Sequence, residues 1–524
     1  MRYLVTGEQM KEIDRYTIET IGIPSMVLME RAAMAVAREA EALVKKTDGI
    51  WAVCGTGNNG ADGIAAARML ALKGYCVTII VVGNLDRGTR EFHIQKTIAG
   101  NLNLPVVEWQ SFILEKPEGL GQAGADLAAF GPCDLIIDGV FGVGLTRNVE
   151  GEYREVLEAM KSMSGARVVA VDMPSGIHSA TGQIMGTALK ADVTVTFGWE
   201  KLGSVLYPGR EYCGRVVTED IGFPSVSLKK AHPCAWTYGK EDLAGIPPRP
   251  PYSNKGTFGK VLLAAGCRGM SGAAYLAALG AYRAGAGLVK ILTAEENRTI
   301  LQQLLPEAIL TTYNQEELAG AGEEECSRLW ERRMEKECGW ADVIVLGPGL
   351  GQEPYVKNLV KGVLTSAYVP IVVDADGLNT IAANPGLRQY YTENIVITPH
   401  LGEMARLTGK TVAEIQRDVA GTAADYSRRH GIVCVLKDAA TVTADRDGQC
   451  YVNTSGNSCM AKAGSGDVLA GIVAGLLAQG MEPFQGASMG VFLHGLAGDQ
   501  YRESHGSGGM LARELAEEVG RLIP

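Results

Sequence analysis

At 524 residues, 46% of them hydrophobic and 21% charged, the chain is too long for one ordinary core and too apolar for a disordered one. A net charge of -10 argues against a nucleic-acid footprint, and no apolar run is long enough to span a bilayer, so neither nucleic acid nor membrane is an expected partner. The 11 cysteines form no CxxC pair, no charged-then-apolar leader opens the chain, and buried reduced thiols in a cytoplasmic protein are predicted.

In chain order, Thr6-Gly7-Glu8-Gln9 has capping-box spacing ahead of a helix, and a second helix is predicted over 24–46. Ile50 to Cys54 reads as a buried strand, 55–63 as a loop, 64–73 as a helix and 75–82 as a further strand, a βαβ unit. Gly55, Gly57 and Gly60 satisfy GxGxxG, but no acidic residue stands at the tip of the second strand, which weakens a dinucleotide-redox reading. Two more strands end in carboxylates, at Asp138 and at Asp172, the latter followed by Met173-Pro174-Ser175-Gly176. Ligands of open α/β sheets bind beyond such strand ends, so Asn58, Asn59, Asp62, Asp138, Asp172 and Ser175 are expected to converge. Their oxygens suit a hard cation or sugar hydroxyls.

The proline-rich stretch 246–251 marks a linker within 223–255, between domains predicted at 1–222 and 256–524. Beyond it, a strand starts at Gly259 and a helix of alanine and glycine over 272–284 implies close packing against a sheet. Later strands end at Gly347-Pro348-Gly349, Asp374-Ala375-Asp376, Pro399-His400 and Lys437-Asp438. At Gly464-Ser465-Gly466-Asp467 a small-residue turn opens an apolar helix. Its unpaired amides and helix dipole favour an anion, and Asp467 beside it reads either as a helix cap or as a base taking a proton from a hydroxyl that attacks phosphorus. The residues alone leave open a phosphoryl-transfer enzyme, a dinucleotide-dependent oxidoreductase and a non-catalytic binding protein.

The motifs in this order resemble a known family, the fused NAD(P)H-hydrate repair enzymes. The resemblance rests on Gly55 to Gly63 (GTGNNGADG), Asp138 to Arg147 (DGVFGVGLTR) and Val171 to Gly176 (VDMPSG) in the first half. In the second half it rests on Asn254 to Val261 (NKGTFGKV), Gly347 to Gly351, Asp374 to Asn379, Thr398 to Leu407, Lys437 to Val442 and Ala463 to Gly471. It implies a Rossmann-like three-layer α/β domain followed by a ribokinase-like three-layer α/β domain. The first would interconvert R and S hydrates of NADH and NADPH, and the second would dehydrate the S form with ADP, yielding AMP and phosphate. A ribokinase-like small-molecule kinase fused to a dinucleotide-binding module is the alternative.

By the same resemblance the epimerase substrate lies along Asn58, Asn59, Gly60, Ala61 and Asp62 and along Gly142, Val143, Gly144, Leu145, Thr146, Arg147 and Asn148, with Asp172 catalytic. Asn59, Asp138 and Ser175 would hold potassium. In the dehydratase, Ala273, Gly349, His400 and Asp467 would meet the hydrate. Lys437, Asp438, Ala439, Ala440, Thr441, Gly464, Ser465 and Gly466 would bind the nucleotide, with magnesium accompanying ADP and Asp467 as base. A homo-oligomer is expected. The chain departs from the family pattern at Ala61, where a second glycine is common, at Asn254, where histidine is common, and at Ser465, where threonine is frequent.

Overall fold

The computed structural model describes residues 1–110, 131–320, 322–506 and 508–523. It divides into one unit of Tyr3–Ala235 and another of Trp236–Pro524 with Met1–Arg2. The expected linker is not wholly irregular: Ser225–Lys230 is helical and Ala235–Thr237 is extended, while 247–250 has no regular structure.

In the N-terminal unit seven parallel strands lie in the order Val106–Glu108, Cys76–Val81, Gly49–Cys54, Leu135–Gly139, Arg167–Val171, Val193–Phe197 and Arg215–Glu219. The chain leaves Gly49–Cys54 in one direction and later returns to its other side at Leu135–Gly139. The two tips that face each other there form the switch point at which such sheets bind ligands. Both central strands are buried along their whole length, as the unbroken apolar runs require.

One boundary differs from expectation in a way that matters for the site. Asn58 to Asp62 are not loop but the opening turns of a helix, Asn58–Leu72, capped by Gly57 in extended conformation. Asparagine, glycine and aspartate read locally as turn formers, yet Gly60 permits the helix to start here. A Cβ on Gly60 would stand 1.8 Å from the Gly55 carbonyl oxygen, so only glycine lets the turn close on itself. The second helix is shorter than expected, Ser25–Glu41.

The C-terminal unit repeats the plan. Parallel strands run Ile309–Tyr313, Leu288–Ala294, Lys260–Ala264, Val343–Leu346, Ile371–Val373, Ile395–Ile397 and Val433–Leu436, and two antiparallel strands, Val442–Ala444 and Cys450–Val452, follow. Its switch point lies between Lys260–Ala264 and Val343–Leu346. The α/β class with helices around largely parallel sheets thus holds in both units. The eleven cysteines are free thiols, seven of them buried. Among the described residues no helix is long and apolar enough to cross a membrane.

The alanine- and glycine-rich helix Ser271–Arg283 packs on another helix, Ser465–Ala478, and not simply on the sheet. A Cβ on Gly471 would lie 2.0 Å from the Ala277 carbonyl oxygen, and one on Gly280 would lie 2.5 Å from that of Val468. The two backbones touch, and this contact fixes where the helix carrying Asp467 begins. Gly471→Ala must force the helices apart, at a cost of at least about 2 kcal/mol. Urea unfolding should show that loss, whereas Gly386→Ala, where a Cβ meets nothing within 4 Å, should be close to neutral.

Candidate active sites

In the N-terminal unit a cavity of about 470 Å³ opens at the switch point. The helix start supplies Asn58, Asn59 and Asp62 to its wall, the loop after Leu135–Gly139 supplies Gly142, Val143, Gly144 and Leu145, and the next strand tip supplies Asp172. Gly60 and Ala61 are buried behind this wall, while Thr146, Arg147 and Asn148 continue outward as exposed residues. Of the residues that the resemblance set along the substrate, these three lie outside the cavity wall.

Asp138 and Ser175 sit beneath the cavity and are bonded to each other. The Ser175 hydroxyl donates to Asp138 Oδ1 at 2.5 Å, and the Ser175 N–H donates to Oδ2 at 2.8 Å. The Phe141 N–H in turn donates to the Ser175 hydroxyl at 2.8 Å, tying the substrate-side loop to this pair. Burial raises the Asp138 carboxyl to about 6 despite these bonds. Asn59 stacks its amide against Gly142, where any Cβ would stand 2.6 Å from its Oδ1, and its buried Nδ2 has no hydrogen-bond partner among the described residues.

Asp172 adopts a left-handed backbone, φ 66°, which is uncommon for a residue with a side chain and is found where a site over-determines it. Three donors converge on its Oδ1: the Lys201 ammonium, the Thr196 hydroxyl at 3.1 Å and the Phe197 N–H at 3.3 Å. Lys201 is fully buried, and its remaining protons go to Thr196 Oγ1 at 2.9 Å and the Phe197 carbonyl at 3.1 Å. Two further carboxylates line the cavity, Asp14 from the helix Gly7–Arg15 and Asp62. Burial first, and then Asp172, raise both: Asp14 to about 6, Asp62 well above the ordinary carboxyl range. Lys201 and Asp14 were not foreseen from the sequence. Lys201 follows Trp199-Glu200 like any surface charge, and no local signal marks Asp14 beyond its place one residue after buried Ile13.

In the C-terminal unit the strand tips and the helix start do meet. Cys267 N–H donates to the Gly349 carbonyl at 2.6 Å and Gly266 N–H to that of Pro348 at 2.8 Å, joining the two switch-point loops. This brings Ala273 against Gly349, where a Cβ on the glycine would be 2.8 Å from that of the alanine. Lys437 Nζ donates to Asp374 Oδ1 at 2.7 Å, and a Cβ on Gly466 would lie only 3.3 Å from that ammonium. Burial opposes the Lys437 charge, but Asp374, Glu403 and Asp467 outweigh it and raise its pKa. Asp438 to Thr441 form the turn between strands, closed by the Thr441 hydroxyl on the Asp438 carbonyl at 3.1 Å.

Gly464 caps the helix Ser465–Ala478 in a left-handed conformation, with no side-chain cap. Asp467 is therefore not the cap: it stands in the first turn, and its carboxylate makes no hydrogen bond among the described residues. Burial, then Asp374, raise its carboxyl to about 7, with Lys437 working against them. Ser465 is engaged internally, its N–H on the Lys462 carbonyl at 3.3 Å and its hydroxyl on that of Met460 at 2.8 Å, so Gly466 and Asp467 carry the unbonded amides of this turn. Beneath it, buried His494 holds the Ser465 carbonyl through Nε2 at 3.0 Å, and burial lowers its pKa to about 4, keeping the ring neutral. His400 is itself a helix cap: its Nδ1 accepts from Gly402 N–H at 3.0 Å, and Glu403 returns a bond to the His400 N–H at 2.8 Å. Its side chain is half exposed beyond that cap. Asp374 and Glu403 lie within recognisable motifs, but their part in the charge balance follows only from the fold.

Two family models match the chain: one described as NAD(P)H-hydrate dehydratase over residues 261–521, the other as YjeF-related protein N-terminus over 25–203. The chain is 38% identical over 520 residues to a bifunctional NAD(P)H-hydrate repair enzyme of Thermofilum pendens, covering 98% of this chain and 95% of that one. It is 32% identical over 522 residues to the enzyme of that description from Escherichia coli, covering 99% and 93%. Among solved structures, an ADP/ATP-dependent NAD(P)H-hydrate dehydratase from Bacillus subtilis, co-crystallised with ATP and magnesium, is 34% identical, with a TM-score of 0.47 over 55% of this chain and 96% of that one.

The Lys201–Asp172 pair yields a direct test of site integrity. Lys201→Met leaves Asp172, 7% exposed, as an uncompensated charge and should destabilise the N-terminal unit by about 3–5 kcal/mol. Adding Asp172→Asn should restore most of that loss in urea unfolding. Equal losses in the single and double variants would mean that the charge is compensated elsewhere.

Proposed function

The chain belongs to the bifunctional NAD(P)H-hydrate repair enzymes, and from that membership we propose how its two sites divide the work. The N-terminal domain, drawn at 1–222, interconverts the R and S epimers of hydrated NADH and NADPH. The C-terminal domain, drawn at 256–524, dehydrates the S epimer at the expense of ADP. The observation that carries the dehydratase mechanism is the setting of Asp467: a carboxylate without hydrogen bonds, in the first turn of a buried helix, beside Lys437 and two unbonded amides.

Asp467 takes the proton of the C6 hydroxyl, whose oxygen attacks the terminal phosphorus of ADP. The bond from that phosphorus to the AMP oxygen breaks, and AMP leaves with the electron pair. Phosphate then departs from C6 with the C–O electron pair while the C5 proton passes to water, and the C5–H pair forms the C5–C6 double bond of the reduced nicotinamide. Phosphorylation thus replaces hydroxide, a poor leaving group, by phosphate. Lys437 and the Gly466 and Asp467 amides stabilise the charge on the transferring group. Lys437 to Thr441 and Gly464 to Gly466 border the nucleotide, and Ala273, Gly349 and His400 border the hydrate. Magnesium bound with ADP would offset phosphate charge. Asp374, whose Oδ2 lies 3.9 Å from where a Cβ on Gly466 would stand, is a hard oxygen donor near that turn.

In the epimerase, Asp172 is the base that exchanges protons with the substrate, anchored at Oδ1 so that Oδ2 remains for chemistry. Asn59, Asp138 and Ser175 offer an all-oxygen set that suits a potassium ion, which would offset the negative charge of a dinucleotide bound above it.

Incubating the purified chain with mixed epimers and ADP should restore reduced-cofactor absorbance from both fractions, with AMP formed in equal amount. Recovery limited to the S fraction would remove the epimerase assignment, and no AMP would remove the dehydratase one. Asp467→Asn should slow AMP formation by about 100-fold or more. Because Asp467 must be ionised to act and its carboxyl is raised to about 7, dehydration kcat/KM should climb as pH rises through 7 and then level. A wild-type-like rate in the asparagine variant would sink the base assignment.

A further inference from the structure

The epimerase reaction asks for two proton transfers at C6, one as the hydroxyl departs and one as water returns on the other face of the ring. Asp172 can serve one of them. Its Oδ1 already takes three donors, leaving a single oxygen on a fixed strand tip. Lys201 cannot serve the other, because its three protons are committed to Asp172, Thr196 and the Phe197 carbonyl.

Among the described residues, the remaining titratable side chains on the cavity wall are Lys11, Asp14, Asp62 and Tyr153. Lys11 is exposed, and a neutral phenol such as Tyr153, raised by burial, is a poor proton acceptor. Asp62 belongs to the segment already read as bordering the substrate, Asn58 to Asp62, and burial and then Asp172 raise its carboxyl. Asp14 comes from a different element, the helix Gly7–Arg15, which precedes the segment matched by the N-terminal family model. Met10 and Ile13 of that helix pack with Leu228, whose helix carries the exposed Lys229 and Lys230. The charges that act on Asp14 are Asp172 and Lys201, and burial together with Asp172 places its carboxyl at about 6, where both forms are populated near neutrality.

Resting on the epimerase reading above, we propose that Asp14 is the second acid–base group of the N-terminal site, working with Asp172 on the C6 oxygen. In the forward direction the Asp14 carboxylic acid gives its proton to the hydroxyl, the C6–O bond breaks with its electron pair on oxygen, and water leaves. The N1 lone pair forms a C6–N1 double bond. Water then bonds to C6 on the other face and gives a proton to the Asp172 carboxylate, and the double-bond pair returns to N1. The reverse direction exchanges the roles, and the proton moved from Asp14 to Asp172 is redistributed through solvent before the next turnover. Nothing is oxidised or reduced.

The test uses the full chain, purified R hydrate without ADP, and chromatographic separation of the epimers. Asp14→Asn should lower kcat by about 100-fold with KM nearly unchanged. It should also shift or weaken the inflection of the pH profile near 6, where buried Asp138 is likewise placed. Asp14→Glu should recover part of the rate and restore an inflection. Dehydration of the S hydrate with ADP should be unaffected in both variants, reporting an intact C-terminal unit. A wild-type rate in Asp14→Asn overturns the proposal, and so does a lowered kcat with the inflection unchanged, since that marks a merely structural part. If Asp14→Asn does not fold, the Asp14→Glu profile decides: an inflection at the wild-type position overturns the proposal. Wild-type enzyme no faster than spontaneous epimerisation would instead fell the epimerase reading itself, a result distinct from an active enzyme indifferent to Asp14.

Discussion

Each unit buries more negative than positive charge around its site, and each meets the excess with one lysine. Lys201 stands among Asp172, Asp14 and Asp62, and Lys437 among Asp374, Glu403 and Asp467. A buried carboxylate without a partner is costly, so when several share one ammonium the least compensated take up protons near neutral pH. In each unit the lysine bonds one carboxylate directly, Asp172 or Asp374, and burial raises the carboxyls of the others. The same imbalance that would weaken an ordinary core supplies side chains able to give and take protons at physiological pH.

Backbone geometry decides which groups enter that balance. Both sites lie where the chain reverses its direction of travel across a parallel sheet, so loops from neighbouring strands open toward one another with no helix between them. Glycine makes the crowding possible at a few points. Gly60 lets the helix Asn58–Leu72 begin directly over Gly55, and Gly347, at φ 130°, passes so close to Asp374 that a Cβ would stand 1.9 Å from its carbonyl oxygen. Asp374 in turn holds Lys437, so a steric requirement at a turn is linked to an electrostatic one at that lysine.

Much of this was legible in the sequence because it is local. Apolar runs ending in Asp138, Asp172 and Asp374 announce strands with carboxylates at their tips, and small residues before Asp467 announce a helix start. The ordered motifs pointed to the family. What was not legible depends on contacts between distant segments. Lys201 is a charged residue next to a glutamate in sequence and a fully buried one in the fold. Asp14 belongs to an amphipathic helix whose buried face is plain from Met10 and Ile13, but periodicity does not reveal that a cavity lies beside that face. That Asp467 is not the helix cap also required the structure. A cap and a base both put an aspartate within one turn, and only the left-handed Gly464 at the cap position excludes the first.

The position of Asp467 finally rests on packing remote from any charge. Its helix is buried along nearly its whole length and meets Ser271–Arg283 through glycines whose Cβ atoms would collide with the facing backbone. Below its first turn, neutral His494 holds the Ser465 carbonyl, so the turn is held from beneath while its Gly466 and Asp467 amides remain unbonded. Rigidity matters here for a physical reason. On the proposed reading of Asp467 as base, a base and an anion hole on one turn keep a fixed separation, so an oxygen losing its proton to Asp467 would do so close to the amides that would meet the phosphoryl group. A geometry suited to phosphorylating a hydroxyl thereby becomes a geometry for removing one, because a hydroxyl phosphorylated on a carbon bonded to nitrogen has gained the leaving group that elimination lacked.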